Sequence, residues 1–125
     1  MGGAALADRP VVLIVEDEPL IRWSAEAALT GAGFDLLSAA NADEALALLT
    51  SHDHIRVVFS DINMPGSQDG AALVRVTRAR WPAIGIVLTS GHDRRLPACL
   101  GDRALFISKP YRDGELIEAI RSVLD

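Results

Sequence analysis

Three parts of this sequence carry residues able to work on one another: Glu16-Asp17-Glu18, Asp61 and Lys109. Carboxylates gathered in one place repel, and each resists desolvation unless a cation offsets the charge. A hard divalent ion held by oxygen ligands meets that need, and Mg²⁺, which keeps several waters, fits such a set. Beside it a carboxylate can attack a phosphoryl group. Such a transfer mainly requires positioning and neutralised equatorial oxygens. An ammonium at Lys109 and a hydroxyl at Ser90 would supply the rest. Lys109 is also the only lysine among 12 basic residues, and a compact ammonium is not interchangeable with the arginine used everywhere else.

These groups can meet only if the chain delivers them to one edge. Residues 11–15 form a continuous β-branched apolar run, as expected of a strand buried on both faces, and it runs out into Glu16 and Asp17. Residues 34–38, 55–59, 84–89 and 104–108 read as further strands. The third leads into Asp61, the fourth into Ser90-Gly91, and the fifth into Lys109-Pro110. Between them, 19–31 reads as a helix with Pro19 in its first turn and Gly31 and Gly33 at its end. Asn41-Ala-Asp-Glu44 reads as a capping box opening the next. A further helix runs to about residue 80. The last carries one apolar stripe, Leu116, Ile117, Ile120, Val123 and Leu124. Buried strands alternating with helices predict a parallel sheet covered on both faces. In such a sheet ligands bind beyond the carboxyl ends of the strands. The segment 91–103, with Pro97 and Gly101, lacks helical periodicity and is expected to be a loop or a single turn where a helix would normally stand.

At 125 residues and 50% hydrophobic content the chain suits one compact domain. Residues 1–9 read as a flexible N-terminal lead-in and 10–125 as the domain, with no further domain expected, so that the chain is expected to work alone or as one part of a larger protein. A net charge of −5 without a basic run argues against direct nucleic-acid binding. No apolar stretch reaches the roughly 20 residues of a membrane helix. The lone Cys99 cannot form an internal disulfide, which suits a reducing, cytoplasmic setting.

Four stretches together resemble the bacterial response-regulator receiver domain, the chemotaxis-regulator-like module of two-component signalling. They are Val11-Val-Leu-Ile-Val-Glu-Asp-Glu-Pro19, Phe59-Ser-Asp-Ile-Asn-Met-Pro-Gly66 with Asp69-Gly70, Val87-Leu-Thr-Ser-Gly91 and Phe106-Ile-Ser-Lys-Pro-Tyr111. The resemblance implies an α/β, flavodoxin-like (βα)5 doubly wound fold with a five-stranded parallel sheet in the order 2-1-3-4-5, its fourth helix here shortened or replaced by a loop. It implies Asp61 as phosphoacceptor, Asp17 as a direct Mg²⁺ ligand, Glu16 reaching the metal through water, and the backbone carbonyl of Asn63 completing the set. Ser90 matches the switch hydroxyl, Gly91 the small residue beside it, Lys109 the phosphate-pairing lysine and Phe106 the aromatic switch position. Pro110 is a candidate for a cis peptide. The implied donor is a sensor histidine kinase or histidine phosphotransfer protein. The implied recipient of the signal is a downstream protein that the residues do not identify, and no independent turnover is expected.

Plainer readings stand beside these. Asp17 and Asp61, taken singly, are what solvated loop carboxylates look like. Glu18 suits the positive end of a helix. Thr89 competes with Ser90, since strand alternation turns only one of them to the site. Phe106 also reads as packing alone, as it lacks the phenol oxygen of the usual tyrosine. His52 and His54 read as solvated, while His92 lies where the family tunes lifetime. Trp23 and Trp81 read as helix packing, and Arg75, Arg78, Arg94 and Arg95 as solvated faces, with Arg94-Arg95 also a candidate docking surface. The rivals are a pseudo-receiver that binds partners without taking phosphate, and an enzyme on a similar fold. A flavodoxin would want a Ser/Thr/Gly phosphate loop after the first strand. A phosphatase with an aspartate nucleophile would want Asp, not Asn, at position 63.

Overall fold

The computed structural model describes residues 10–62, 70–91 and 103–124. Five strands and four helices occur there: β1 (Val11–Val15), α1 (Pro19–Gly31), β2 (Asp35–Ala39), α2 (Ala42–Ser51), β3 (Ile55–Asp61), α3 (Gly70–Arg80), β4 (Gly85–Ser90), β5 (Ala104–Ser108) and α4 (Asp113–Leu124). The expected loop over 91–103 and the expected ligand Asn63 fall almost wholly outside these residues.

The strands form one sheet in the order β2-β1-β3-β4-β5, with every neighbouring pair parallel. This is the expected flavodoxin-like, doubly wound arrangement. Alternation in β1 decides how it is covered. Val12 and Ile14 point to one face, where they meet Leu29 of α1 and Leu116 and Ile120 of α4. Leu13 and Val15 point to the other, against Ala45 and Leu49 of α2 and Leu73 of α3. Each fully buried Leu or Ile contributes about 1.5–3 kcal/mol of transfer free energy. The continuous apolar run in β1 therefore serves both layers at once.

Local signals set the helix ends. Pro19 opens α1. At its other end Gly33, with φ +96°, lets the Gly33 N–H reach the Thr30 carbonyl and the Phe34 N–H reach Leu29, a Schellman closure. Phe34 is thereby spent on that turn and the core, and β2 begins one residue later than expected. At α2 the Asn41 side chain accepts from the Glu44 N–H at 2.9 Å, and Glu44 Oε1 accepts from the Ala40 N–H at 2.8 Å. The capping box is present, reaching one residue further back than its usual form.

Arg78 corrects its reading as a solvated face, and Arg103, for which no role was expected, works with it. Arg78 is half-buried and donates to the carbonyls of Pro82, Ile84 and Arg103. Arg103 in turn donates to the carbonyls of Val123 and Leu124 at the end of α4. Together they tie α3, β4, β5 and α4 at the edge opposite the acidic cluster. Arg75 is exposed, as expected.

Candidate functional site

The sheet order reverses direction between β1 and β3: from β1 the chain moves first to β2 on one side, then to β3 on the other. A crevice opens at such a switch point, at the carboxyl ends of the strands. Glu16 and Asp17 follow β1 directly, and Asp61 is the last residue of β3. One carboxylate oxygen from each of Glu16, Asp17 and Asp61 lies within 4.8 Å of the others. Glu16 and Asp61 are buried and Asp17 is exposed.

Lys109 follows β5, with β4 lying between it and β3. Its long side chain spans that gap. Nζ donates to Asp61 Oδ2 at 2.6 Å and to Glu16 Oε1 at 3.3 Å. The peptide joining Lys109 to Pro110 is cis, as the sequence suggested. Glu16 divides its oxygens: Oε1 faces Lys109 and Oε2 accepts from the Glu18 N–H at 3.1 Å.

Burial pushes the Glu16 carboxyl above the usual carboxylate range, against the opposing pull of the Glu18 N–H and the Lys109 charge. Burial alone would lower the Lys109 ammonium, but the hydrogen bond and charge of Asp61, joined by Glu16, outweigh it and hold the group above its ordinary value. Lys109 is thus firmly cationic, and the cluster remains richer in anions than one ammonium can balance. Hard carboxylate oxygens, at least one of them penalised by its own burial, are the donor set that a small divalent cation relieves.

The fourth strand brings two hydroxyls. Thr89 stands opposite Asp61 in register and Ser90 opposite Ser108. Both are buried, and the Ser90 carbonyl accepts from the Lys109 N–H at 3.1 Å. Among the described residues Thr89 Oγ1 has no hydrogen-bond partner. Phe106 is half-buried opposite Leu88, packed against the cluster of Ile62, Val74, Ile86 and Leu88. Gly91 is exposed. His52 and His54 are exposed, as expected, and His92 lies outside the described residues.

Several contributors were given no role by the sequence. Tyr111 meets Phe59 edge-on, with ring centroids 5.6 Å apart. Arg22 of α1 donates from Nη1 to the Glu16 carbonyl at 2.7 Å; an arginine in a helix ordinarily reads as a solvated charge. Gly70, the first residue of α3, donates its N–H to the Ile62 carbonyl at 2.9 Å. A Cβ there would stand 2.0 Å from the Asp61 carbonyl oxygen. Trp23, expected to pack, is instead 69% exposed on α1 beside Leu20 at 71%. A groove of about 440 Å³ adjoins them, bounded by Leu20, Ile21, Ser24, Lys109, Pro110 and Tyr111.

With this fold and this clustering in place, the comparisons with known proteins agree. Residues 12–121 match the response regulator receiver domain, and the chain belongs to that family of two-component signalling. It is 33% identical to the transcriptional regulatory protein AruR of Pseudomonas aeruginosa, over 92% of this chain and 49% of that protein. It is 32% identical to the DNA-binding transcriptional regulator NtrC of Salmonella typhimurium, over 93% of this chain and 25% of that one. The chain therefore spans half or less of the length of these relatives. Among solved structures it resembles a response regulator receiver protein from Sinorhizobium medicae, with TM-score 0.84, 30% identity and coverage of 93% and 94% of the two chains. None of the helices among the described residues is long and apolar enough to cross a membrane.

Proposed function

We propose that this chain is a cytoplasmic phosphoacceptor switch: Asp61 takes a phosphoryl group from the phosphohistidine of a sensor histidine kinase or histidine phosphotransfer protein. The observation that carries the reading is the contact of Lys109 Nζ with Asp61 Oδ2 at 2.6 Å, inside a cluster that also holds Glu16 and Asp17. An Asp61 carboxylate oxygen attacks phosphorus, forming a P–O bond. The P–N bond of the donor breaks, and the imidazole nitrogen leaves with the electron pair. Lys109, already aimed at Asp61, then pairs with a phosphoryl oxygen. Ser90 at the end of β4 offers its hydroxyl to another, and Phe106 next to that strand repacks as the fourth strand adjusts.

Asp17 and Asp61 would hold Mg²⁺ directly, with Glu16 through water and the Asn63 carbonyl as a further ligand. Bound there, the ion would neutralise phosphoryl oxygens. The exposed Leu20 and Trp23, beside a groove that reaches Lys109, give a partner apolar surface next to the acceptor. Exposed aromatics of this kind are the usual anchors of protein contacts. We assign no independent turnover to the chain, and residues 1–9 to a lead-in before a receiver unit of 10–125.

The test is intact-mass analysis after incubation with Mg²⁺ and acetyl phosphate, alongside Asp61→Asn and a sample without metal. Gain of one phosphoryl group by the unaltered chain alone supports the reading. No gain at any donor concentration replaces it with a phosphate-independent interaction module.

A further inference from the structure

Arg22 holds a position from which it can govern the acidic cluster without touching a carboxylate. Its guanidinium Nη1 donates to the Glu16 carbonyl at 2.7 Å, a short, charge-assisted bond. That carbonyl belongs to the first residue after β1, and on the other side of the same residue the Glu16 N–H is held by Ala39 of β2 at 3.0 Å. Both backbone groups of Glu16 are therefore fixed, one by the sheet and one by α1. The Glu16 carbonyl and the Asp17 N–H share one planar peptide unit. Whatever turns that carbonyl turns the start of Asp17.

Asp17 needs such help. It is exposed, and among the described residues its carboxylate accepts no hydrogen bond. Glu16 is steered by Lys109 and the Glu18 N–H, and Asp61 by Lys109. The direction of the Asp17 side chain rests on its backbone alone.

We infer that Arg22 is a positioning residue for divalent-cation binding: by clamping the Glu16 carbonyl it sets the peptide plane that aims Asp17 into the cluster. The inference rests on the proposed Mg²⁺ site and adds a residue to it. It also opposes a simpler expectation. A guanidinium bonded to the backbone of one of the cluster residues repels a cation, so if Arg22 acted only through its charge, removing it would tighten Mg²⁺ binding. Acting through the carbonyl, its removal loosens binding. The two effects have opposite signs.

The test uses calorimetric Mg²⁺ titration of the unaltered chain, Arg22→Met, which keeps the stem, and Arg22→Lys, which restores a cationic donor. Amide spectra of the metal-free proteins follow the Asp17 N–H. Arg22→Met should bind Mg²⁺ about tenfold more weakly, the scale on which outer groups orient metal ligands, and its Asp17 amide should move. Arg22→Lys should recover both most of the affinity and the amide position, a rescue that loss of general stability would not give. Equal or tighter binding by Arg22→Met, or an unmoved Asp17 amide, would overturn the inference while leaving the metal site intact. Absence of Mg²⁺ binding by the unaltered chain would overturn the proposed function and this inference with it.

Discussion

Lys109 Nζ sits 2.6 Å from Asp61 Oδ2 and is the cation that two buried carboxylates, Asp61 and Glu16, share. Removing one member of a buried ion pair costs about 3–5 kcal/mol, because the other charge is left without a partner. The Lys109 side chain is 23% exposed, so water screens part of that loss, and Lys109→Met should cost ~2–3 kcal/mol at neutral pH. Urea midpoints measure it. Added Mg²⁺ should return much of the stability, since a divalent ion replaces the missing charge. A midpoint equal to that of the unaltered chain would show that the pair is marginal.

Tyr111 is the only tyrosine, so phenolate absorbance follows it alone. Burial, reinforced by the charge of Glu16, raises it to about 12. The native state thus keeps a proton that the unfolded chain loses near pH 10. Stability should therefore fall as pH rises from about 10 to 12. Tyr111→Phe should lack this part of the alkaline slope. Titration of the folded protein near pH 10 would contradict the burial described for this ring.

Gly70 admits no side chain. A Cβ there would stand 2.0 Å from the Asp61 carbonyl oxygen and 2.7 Å from Ile62 Cα. Both obstacles are backbone, so α3 or the end of β3 would have to shift. Gly70→Ala should cost ~3 kcal/mol, the upper range for overpacking, and slow phosphorylation of Asp61. Wild-type urea stability for Gly70→Ala would mean that this junction yields easily.

Thr89 and Ser90 can be separated by paired substitutions. The Thr89 hydroxyl is buried and, among the described residues, without a partner, and an unsatisfied buried polar group costs about 1–3 kcal/mol. Thr89→Val should gain about 1 kcal/mol, or roughly 3–5 °C in melting temperature, and keep its response to phosphorylation. Ser90→Ala should weaken that response. The reverse pattern would make Thr89 the switch hydroxyl.

What the sequence disclosed follows a physical division. Val11–Val15 is legible because a strand buried on both faces admits almost nothing but apolar residues, and Asn41 and Glu44 because a helix start has few chemical solutions. Glu16, Asp17, Asp61 and Lys109 are legible because unlike polar types appear together at the ends of such strands. Arg22, Arg78 and Tyr111 are not. Each acts through a backbone carbonyl or a ring edge supplied by a distant element, and nothing in its own neighbourhood records that partner. Trp23 misleads for the complementary reason: its residue type suggests packing, yet its place on α1 turns it outward.

The composition gives Lys109 one more consequence. It is the only side-chain amine in the sequence, and it is also the bridge between β5 and the ends of β1 and β3. Reagents and enzymes that acylate lysine side chains find a single address on this chain, and that address is the cation of the acidic cluster. Acylation would erase its charge. A label meant merely to tag the molecule would therefore remove the cation that Asp61 and Glu16 share, while the fraction left unlabelled would report how tightly the two carboxylates hold their partner.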